Sequence, residues 1–240
     1  MSDKPTFGRD AEEFLHSLGN FSENDSESRE YGIRIISLNN LGSEKTAVKV
    51  AVSNQSGREE LEFAIMPEHL DILELQIGEV SEELLSQIEY YSEVAKAYSS
   101  ACTSFAYTPS SLRALNQKLL QKGFSRGVCD DAISCVKSRG FVNENDIAVR
   151  RAQICVGKLW GRSRIIMKLR EEGFCDSALC DAEEYLSEID FAANCAALIS
   201  KRLGDVPIDT HERDRMYASL SRMGYSVSDI RKAVDIIGRG

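Results

Sequence analysis

Long apolar runs are missing from this chain of 240 residues. No segment approaches the roughly 20 apolar residues that a membrane-spanning helix needs, and the polar first ten residues predict no secretory signal. The chain has only three histidines, and none of its seven cysteines forms a Cys-x-x-Cys pair, so zinc-ligand spacing is missing too. We therefore expect a cytoplasmic protein that enters no membrane, whose cysteines are mostly small buried side chains.

Motifs of catalysis and nucleotide binding are also missing. The sequence contains no Gly-x-Gly-x-x-Gly, no Walker loop, no His-Glu-x-x-His and no nucleophile elbow. The acidic pairs Asp130-Asp131 and Glu183-Glu184 fit charges at helix ends or on exposed faces better than general acids or bases. The sequence therefore predicts a protein that is not an enzyme and needs no cofactor.

Charge is distributed in three blocks. Residues 1–107 hold 8 Lys and Arg against 20 Asp and Glu, residues 110–170 hold 13 against 4, and residues 171–240 hold 8 against 14. The basic middle block fits an anionic or charge-patterned partner, and an ordinary solvated helix surface explains it equally well on charge alone.

A repeat occupies the second half of the chain. Three segments align on Gly123, Gly173 and Gly224, and apolar residues recur at fixed distances from each glycine. The matched sets, from eight residues before the glycine to thirteen after it, are Leu115, Ile165 and Met216; Leu119, Leu169 and Leu220; Phe124, Phe174 and Tyr225; Cys129, Leu179 and Ile230; Ala132, Ala182 and Ala233; and Val136, Leu186 and Ile237. A period of about 50 residues is typical of helical repeat proteins, which present long surfaces that usually bind rather than catalyse.

Residues 31–107 predict a different kind of structure. Three short runs are β-branched or alternate between apolar and polar residues, and turn residues separate them, which predicts an antiparallel β-meander. The runs are Ile33–Leu38, Ala47–Val52 and Leu61–Ile65. Pro67 begins a short helix that we expect to end at Gly78, and Ser81 begins a longer helix that extends to about Phe105.

From Ser110 onward the periodicity is helical throughout. Gly123 is predicted to end a helix in the left-handed conformation. Asn143 with Asp146 resembles a capping box, and we expect Asp176 to cap a later helix.

The fold class expected from these patterns is mainly α. Tandem three-helix repeats form a helical array, and a small antiparallel β-meander with connecting helices precedes them. The predicted segments are a flexible acidic tail (1–30), the meander with its helices (31–107), helical repeat 1 (108–160), helical repeat 2 (161–206) and a truncated helical repeat 3 (207–240).

Three stretches of the array carry further matched residues. They are Ser110-Ser111-Leu112-Arg113…Lys118-Leu119…Lys122-Gly123-Phe124, Gly140-Phe141-Val142-Asn143…Ala148, and Gly161-Arg162-Ser163-Arg164-Ile165…Lys168-Leu169…Glu172-Gly173-Phe174. With their spacing, and with the shorter repeat around Gly224-Tyr225-Ser226, they resemble the RecX family of regulators of RecA recombinase. The resemblance covers residues 108–238 well and residues 31–106 loosely.

The resemblance implies an array of three-helix units with no cofactor and no enzymatic activity. It also implies that the protein binds along the groove of the RecA–single-stranded DNA filament. There it would inhibit or modulate recombinase and ATPase activity in DNA repair, recombination and the SOS response. The expected partner is the RecA filament, single-stranded DNA is a further candidate, and we expect a monomer.

Basic residues of the first two repeats are the candidates for contact with this filament. Lys118 and Lys168 hold equivalent positions, five residues before the glycine, which predicts that they point the same way on successive units. Such a row of charge suits DNA phosphates or acidic patches on RecA. The candidate residues are Arg113, Lys118, Lys122, Arg126, Arg150, Arg151, Lys158, Arg162, Arg164, Lys168 and Arg170.

Two other functions fit the same sequence. Because Gly123 lies between two helices in the basic block, the segment resembles a helix-turn-helix of a protein that binds DNA directly. A helical scaffold for another protein partner is the second alternative. The lone Trp160 is expected to pack at a junction between repeats, with base stacking as the rival interpretation.

Overall fold

The structure, a computed structural model, describes residues 32–42, 44–54, 57–203 and 210–238. The predicted tail at residues 1–30 lies outside them. The described residues form two compact units. The sheet unit contains the described residues up to Ser104 together with Asn116–Arg139. The array unit contains Phe105–Leu115 and the described residues from Gly140 onward. The five segment boundaries expected from the sequence stay a prediction.

The sheet unit is built on an antiparallel sheet with the strand order β3-β2-β1-β4. Its strands are β1 (Gly32–Asn40), β2 (Thr46–Asn54), β3 (Gly57–Ile65) and β4 (Gly78–Val80). The sequence predicted a meander of three strands, whereas the sheet has four. Gly78 was expected to end a helix, but it begins β4 with φ +149°, where it pairs with Ile35. The three-residue strand escapes detection because its pairing with β1 is long-range.

Two helices complete the first part of the chain, α1 (Pro67–Leu73) and α2 (Glu82–Tyr107). The predicted N-terminus of α2 is confirmed, because the Ser81 hydroxyl accepts the Leu84 amide at 3.2 Å. Leu85 and Ile88 of α2 join the buried apolar face of the sheet. No helix in the described part of the chain is long and apolar enough to cross a membrane.

The rest of the described chain is helical, as expected. The helices are α3 (Leu112–Gln121), α4 (Arg126–Ser138), α5 (Glu144–Gly157), α6 (Arg162–Glu171), α7 (Asp176–Ser187), α8 (Phe191–Leu203), α9 (Thr210–Arg222) and α10 (Val227–Ile237). They form two successive three-helix repeats and a final helix pair, so the predicted fold class is confirmed. One cap was wrong: Cys175 is the N-cap of α7, and Asp176 lies in its first turn.

Most of the matched apolar positions of the repeat lie in the helical core, although Ile237 is 38% exposed. Leu115 and Ile165 are fully buried, and so are the three alanines of the ladder, Ala132, Ala182 and Ala233. The three aligned glycines have φ values of +95°, +80° and +91°, a left-handed conformation in which glycine has no steric penalty. One helix of each repeat therefore ends at the same position.

Successive repeats of the array unit pack in the same way. Helix α5, the third of repeat 1, packs on α7, the second of repeat 2. Helix α8, the third of repeat 2, packs in turn on α10 of the last repeat. Each third helix therefore packs on the second helix of the next repeat.

A hydrogen bond at each repeat junction reinforces this packing. The Gly161 amide at the start of α6 donates to the Met223 carbonyl at 2.8 Å, and the Ser163 amide donates to the Gly224 carbonyl at 3.2 Å. At the equivalent place one repeat earlier, the Ser111 hydroxyl donates to the Glu172 carbonyl. The N-terminus of the first helix of one repeat thus contacts the C-terminal end of the first helix of the next repeat.

A buried histidine lies in the sheet unit on α1. His69 is 6% exposed, and its ring lies 4.3 Å from the ring of Tyr91. Its Nε2 atom is 4.0 Å from the Cys135 sulfur, whereas Nδ1 is buried without a partner among the described residues. Burial lowers the pKa of His69, assisted by the positive charge of Arg139 and opposed by Glu68 and Asp131.

Replacing Gly161 with alanine is expected to destabilise the array unit by about 3 kcal/mol. An added Cβ would lie 2.1 Å from the Gly224 carbonyl carbon and 2.3 Å from the Tyr225 amide nitrogen, both of which are backbone atoms. Urea unfolding measures the change. Gly157→Ala is the matched control, because its Cβ would meet nothing within 4 Å and helix propensity favours alanine there. Equal losses in the two variants would contradict the close backbone contact.

Lowering the pH through the ordinary histidine range is expected to destabilise the protein. Because the folded-state pKa of His69 is depressed, the unfolded chain binds more protons than the folded protein in this pH range. The stability that neutral His69 contributes is therefore present above pH 6.5 and is lost as the pH falls toward the folded-state pKa. Thermal unfolding between pH 7.5 and pH 5 should show a steeper fall in Tm for the natural protein than for His69→Phe. Parallel curves would assign the pH dependence to other groups.

Candidate functional site

Helices α5 and α6 carry most of the candidate cations of the array unit. Helix α5 begins at the predicted cap, where the Asn143 side chain accepts the Asp146 amide at 3.4 Å. Ala148, Ala152 and Cys155 are buried along one face of α5. The helical period therefore leaves Arg150 exposed, and Lys158 is exposed just after the helix ends.

Glu172 neutralises two of the candidate residues. The Arg151 Nε atom lies 3.3 Å from one oxygen of Glu172, and the Lys168 Nζ atom lies 3.6 Å from the other. Arg151 also donates to the Pro109 carbonyl at 3.2 Å. These contacts hold α5, α6 and the segment before α3 together, so Arg151 and Lys168 contribute to the packing of the repeats.

Arg164 and Arg170 also have partners within the array unit. The guanidinium of Arg164 lies 4.0 Å from the centroid of the Trp160 ring and donates to the Met223 sulfur. Trp160 is half-buried and packs against the array core, which supports the expected role at a junction between repeats. Arg170 pairs with Glu183 at 3.7 Å on an exposed surface.

Four candidate cations of the array unit remain available to a partner. Arg113, Arg150, Lys158 and Arg162 are exposed, and none of them makes a salt bridge with another described residue. The methylene groups of Arg113 lie over Gly173, where an added Cβ would come within 3.1 Å of them. The side chain of Arg113 is therefore positioned by the next repeat.

Arg162 also lines a cleft of about 390 Å³ at the junction of repeats 2 and 3. Lys232 is a second cation of this cleft. The acids of the cleft are already engaged as caps, because Asp190 accepts the Ala193 amide at 3.0 Å and Asp229 accepts the Ser226 amide at 3.1 Å.

The sheet unit holds the other three candidates. The Lys122 ammonium donates to the hydroxyls of Ser100 and Ser104 at 2.6 and 3.0 Å, which fixes the end of α3 against α2. Lys118 is half-buried and Arg126 is exposed. The common direction expected for Lys118 and Lys168 stays a prediction.

Sequence reasoning missed a long-range ion pair in the sheet unit. Arg139 donates two hydrogen bonds to Glu68, at 3.1 and 2.6 Å, and its guanidinium lies 5.0 Å from the centroid of the Tyr98 ring. Burial opposes ionisation of Glu68, but the hydrogen bonds and the charge of Arg139, a backbone hydrogen bond and the charge of His69 together outweigh it and keep the pKa of Glu68 below its usual value. No local signal predicts a pair 71 residues apart in sequence.

Sequence reasoning also missed a contact between aromatic side chains in the array unit. Phe105 and Tyr107 lie at the end of α2, and Phe141 lies just before α5. The rings of Phe105 and Phe141 meet edge to face, with centroids 5.9 Å apart. Only Phe141 is marked locally, since it follows Gly140, and its contact with Phe105 depends on the fold.

Four of the seven cysteine thiols are buried in the two units. Cys129, Cys135, Cys155 and Cys195 are buried, and burial raises the pKa of each thiol, that of Cys195 to about 11. Such thiols remain protonated near neutral pH. The described residues contain no group of three or more His, Cys, Asp or Glu side chains that could hold a metal ion.

Solved structures share this fold. A crystal structure of regulatory protein RecX is 18% identical and matches 85% of this chain and 99% of its own length, with a TM-score of 0.64. A crystal structure of RecX from Lactobacillus salivarius is 16% identical and matches 62% of this chain and 98% of its own length, with a TM-score of 0.53. No protein-family model and no curated protein match the sequence. The resemblance seen in the sequence is therefore confirmed at the level of the fold.

Neighbouring arginines of α5 should differ in their effect on stability. Arg151→Ala is expected to lower the free energy of unfolding by about 1 kcal/mol, because it leaves Glu172 with one cation fewer and removes packed methylene groups. Arg150→Ala, one residue earlier and exposed, should change it by less than about 0.5 kcal/mol. Urea unfolding of the two variants, each with unchanged helical circular dichroism, compares them. A larger loss for Arg150→Ala would contradict the assignment of roles.

Proposed function

We propose that this chain is a non-enzymatic regulator that binds the RecA–single-stranded DNA filament and inhibits or modulates its recombinase and ATPase activity. The observation that carries the proposal is the fold, which matches a regulatory protein RecX over 99% of that protein's length. The sequence resemblance to the RecX family supplies the expected partner. We extend to this chain the cytoplasmic role in DNA repair and recombination that the resemblance implies.

The chemistry of the array unit supports binding to a charged polymer. Arg113, Arg150, Lys158 and Arg162 are exposed and carry no salt bridge among the described residues, so a partner need not displace an internal acid to contact them. Contacts to phosphates release counterions, which makes such binding weaken steeply with salt. The repeat carries these cations on rigid helices, and the proposed effect is steric and electrostatic.

Direct binding to double-stranded DNA is the rival function. The turn at Gly123 between α3 and α4 has the left-handed conformation that a helix-turn-helix needs. Lys122, however, is held beside this turn by two serine hydroxyls. Lys118 and Arg126 are therefore the cations near the turn that remain available to DNA. The filament proposal therefore accounts for more of the available cations than the duplex-DNA proposal does.

Charge reversal of the four available cations should abolish regulation without unfolding the protein. In an assay of RecA ATPase on single-stranded DNA, the variant Arg113→Glu, Arg150→Glu, Lys158→Glu and Arg162→Glu should lose at least about tenfold in its effect, because each reversal replaces attraction with repulsion at an anionic surface. Circular dichroism and Tm verify that the fold is kept.

The control reverses the same amount of charge in the last repeat. Arg213, Arg215, Arg222 and Arg231 are exposed, and their replacement by glutamate should leave the effect on ATPase largely intact. If both variants lost their effect on ATPase equally, net charge and not a local interface would explain the regulation. Tight, salt-dependent binding to naked duplex DNA, with no effect on RecA, would favour the rival function.

A further inference from the structure

The cleft between repeats 2 and 3 has two cations in its lining. Arg162 at the start of α6 and Lys232 on α10 are exposed, and neither makes a salt bridge with another described residue. The volume of about 390 Å³ is large enough for a small molecule. We call this space the junction cleft.

The preceding junction, between repeats 1 and 2, fills the equivalent place with its own side chains. Glu144, the first residue of α5, accepts the Leu112 amide at the start of α3 at 3.2 Å. The next residue, Asn145, donates to Asp181 of α7 at 2.8 Å and accepts the Ser177 hydroxyl at 3.3 Å. A carboxylate and an amide of the chain itself therefore bridge the starts of α3, α5 and α7.

The junction cleft has different residues at the positions that make this bridge. The first and second helices are matched by distance from the aligned glycines, eleven residues before and eight residues after, and the third helices are matched by their first residue. The matched pairs are Leu112 and Arg162, Glu144 and Phe191, Asn145 and Ala192, and Asp181 and Lys232.

These replacements remove the internal carboxylate and change the sign of the charge. The four positions carry two acids in the first junction and two cations in the second, a change from −2 to +2. Phe191 cannot accept the Arg162 amide as Glu144 accepts its counterpart, and Gly161 provides no side-chain cap for α6. The second junction therefore has cations and a backbone amide where the first has a carboxylate bound to an amide.

The acids that line the junction cleft are bound to their own helices. Asp190 accepts the Ala193 amide of α8 at 3.0 Å, and Asp229 accepts the Ser226 amide and hydroxyl at the start of α10 at 3.1 and 2.6 Å. Carboxylates at the first turn of a helix are offset by the helix dipole. Arg162 and Lys232 are left without an anionic partner among the described residues.

We propose that the junction cleft binds a small dicarboxylate, with one carboxylate on Arg162 and the other on Lys232. The Glu144 carboxylate is the chemical model, because it fills the equivalent place in the preceding repeat. A guanidinium binds a carboxylate through two parallel hydrogen bonds, and an ammonium binds one as a point charge. A bound dicarboxylate links α6 to α10 and stabilises the last repeat. This inference goes beyond the proposed function and does not depend on it.

Titration with succinate, the probe dicarboxylate, tests the proposal. Amide NMR shifts of the ¹⁵N-labelled full chain are followed near neutral pH at constant ionic strength. The amides of Arg162, Ala192 and Lys232 should shift and saturate with one dissociation constant. Those of Leu112 and Asn145 should not move, because Glu144 fills the first junction. Succinamide, an uncharged analogue, should shift neither set.

Two neighbouring cations of α10 separate the cleft from general electrostatic attraction. Lys232→Gln should weaken succinate binding by about tenfold, the loss expected for one charge-assisted hydrogen bond. Arg231→Gln removes the same charge from an exposed side chain that does not line the cleft, and it should keep the natural affinity. Thermal unfolding verifies that both variants keep the fold.

Three outcomes would overturn the dicarboxylate site. They are shifts spread over the surface without saturation, equal weakening in the two variants, and equally tight binding of inorganic phosphate, which would make the cleft an unselective anion site. The titration contains neither RecA nor DNA, so its result is independent of the proposed function. A protein that binds succinate in the cleft and leaves RecA ATPase unchanged would support the site and reject the regulator.

Discussion

The array unit depends on one contact that recurs between repeats, in which the start of the first helix of one repeat meets the end of the first helix of the next. Gly161 and Ser111 hold equivalent positions and donate to the carbonyls of Met223 and Glu172, which are equivalent as well. The contact satisfies carbonyls that a helix end leaves without a partner. It also requires glycine at the aligned position, since a side chain at Gly224 would overlap the backbone of Arg164.

The basic residues of the array unit have two roles, depending on whether they make internal contacts near these junctions. Arg151, Arg164 and Lys168 make internal contacts near the junctions, with Glu172, Trp160 and Met223 as partners, so part of the positive charge stabilises the repeat stack. Arg150 and Lys158 lie on the outer side of α5 and have no such partner among the described residues. Net positive charge therefore overstates the charge that a polyanion meets, and a functional surface has to be defined residue by residue.

The proposed surface consists of exposed cations carried by the repeats. Under the proposed function, those on α5 and α6 would attract a polyanion regardless of its sequence, and this attraction would weaken as salt increases. Rigid repeats suit this task because they fix the spacing of the contacts.

The sequence by itself determined the repeat, because apolar residues at a fixed distance from Gly123, Gly173 and Gly224 predict both the helical period and the helix ends. Most of those residues did become the buried core, with Ile237 as an exposed exception, and the caps at Ser81, Asn143 and Ser226 formed from neighbours in the chain. Only the tertiary structure decided which cations are neutralised, that Gly78 begins a strand, and that Phe141 meets Phe105. The physical reason is range: a helix cap or a helical stripe is set within a few residues, whereas an ion pair such as Arg139–Glu68 joins residues that only the packed fold brings together.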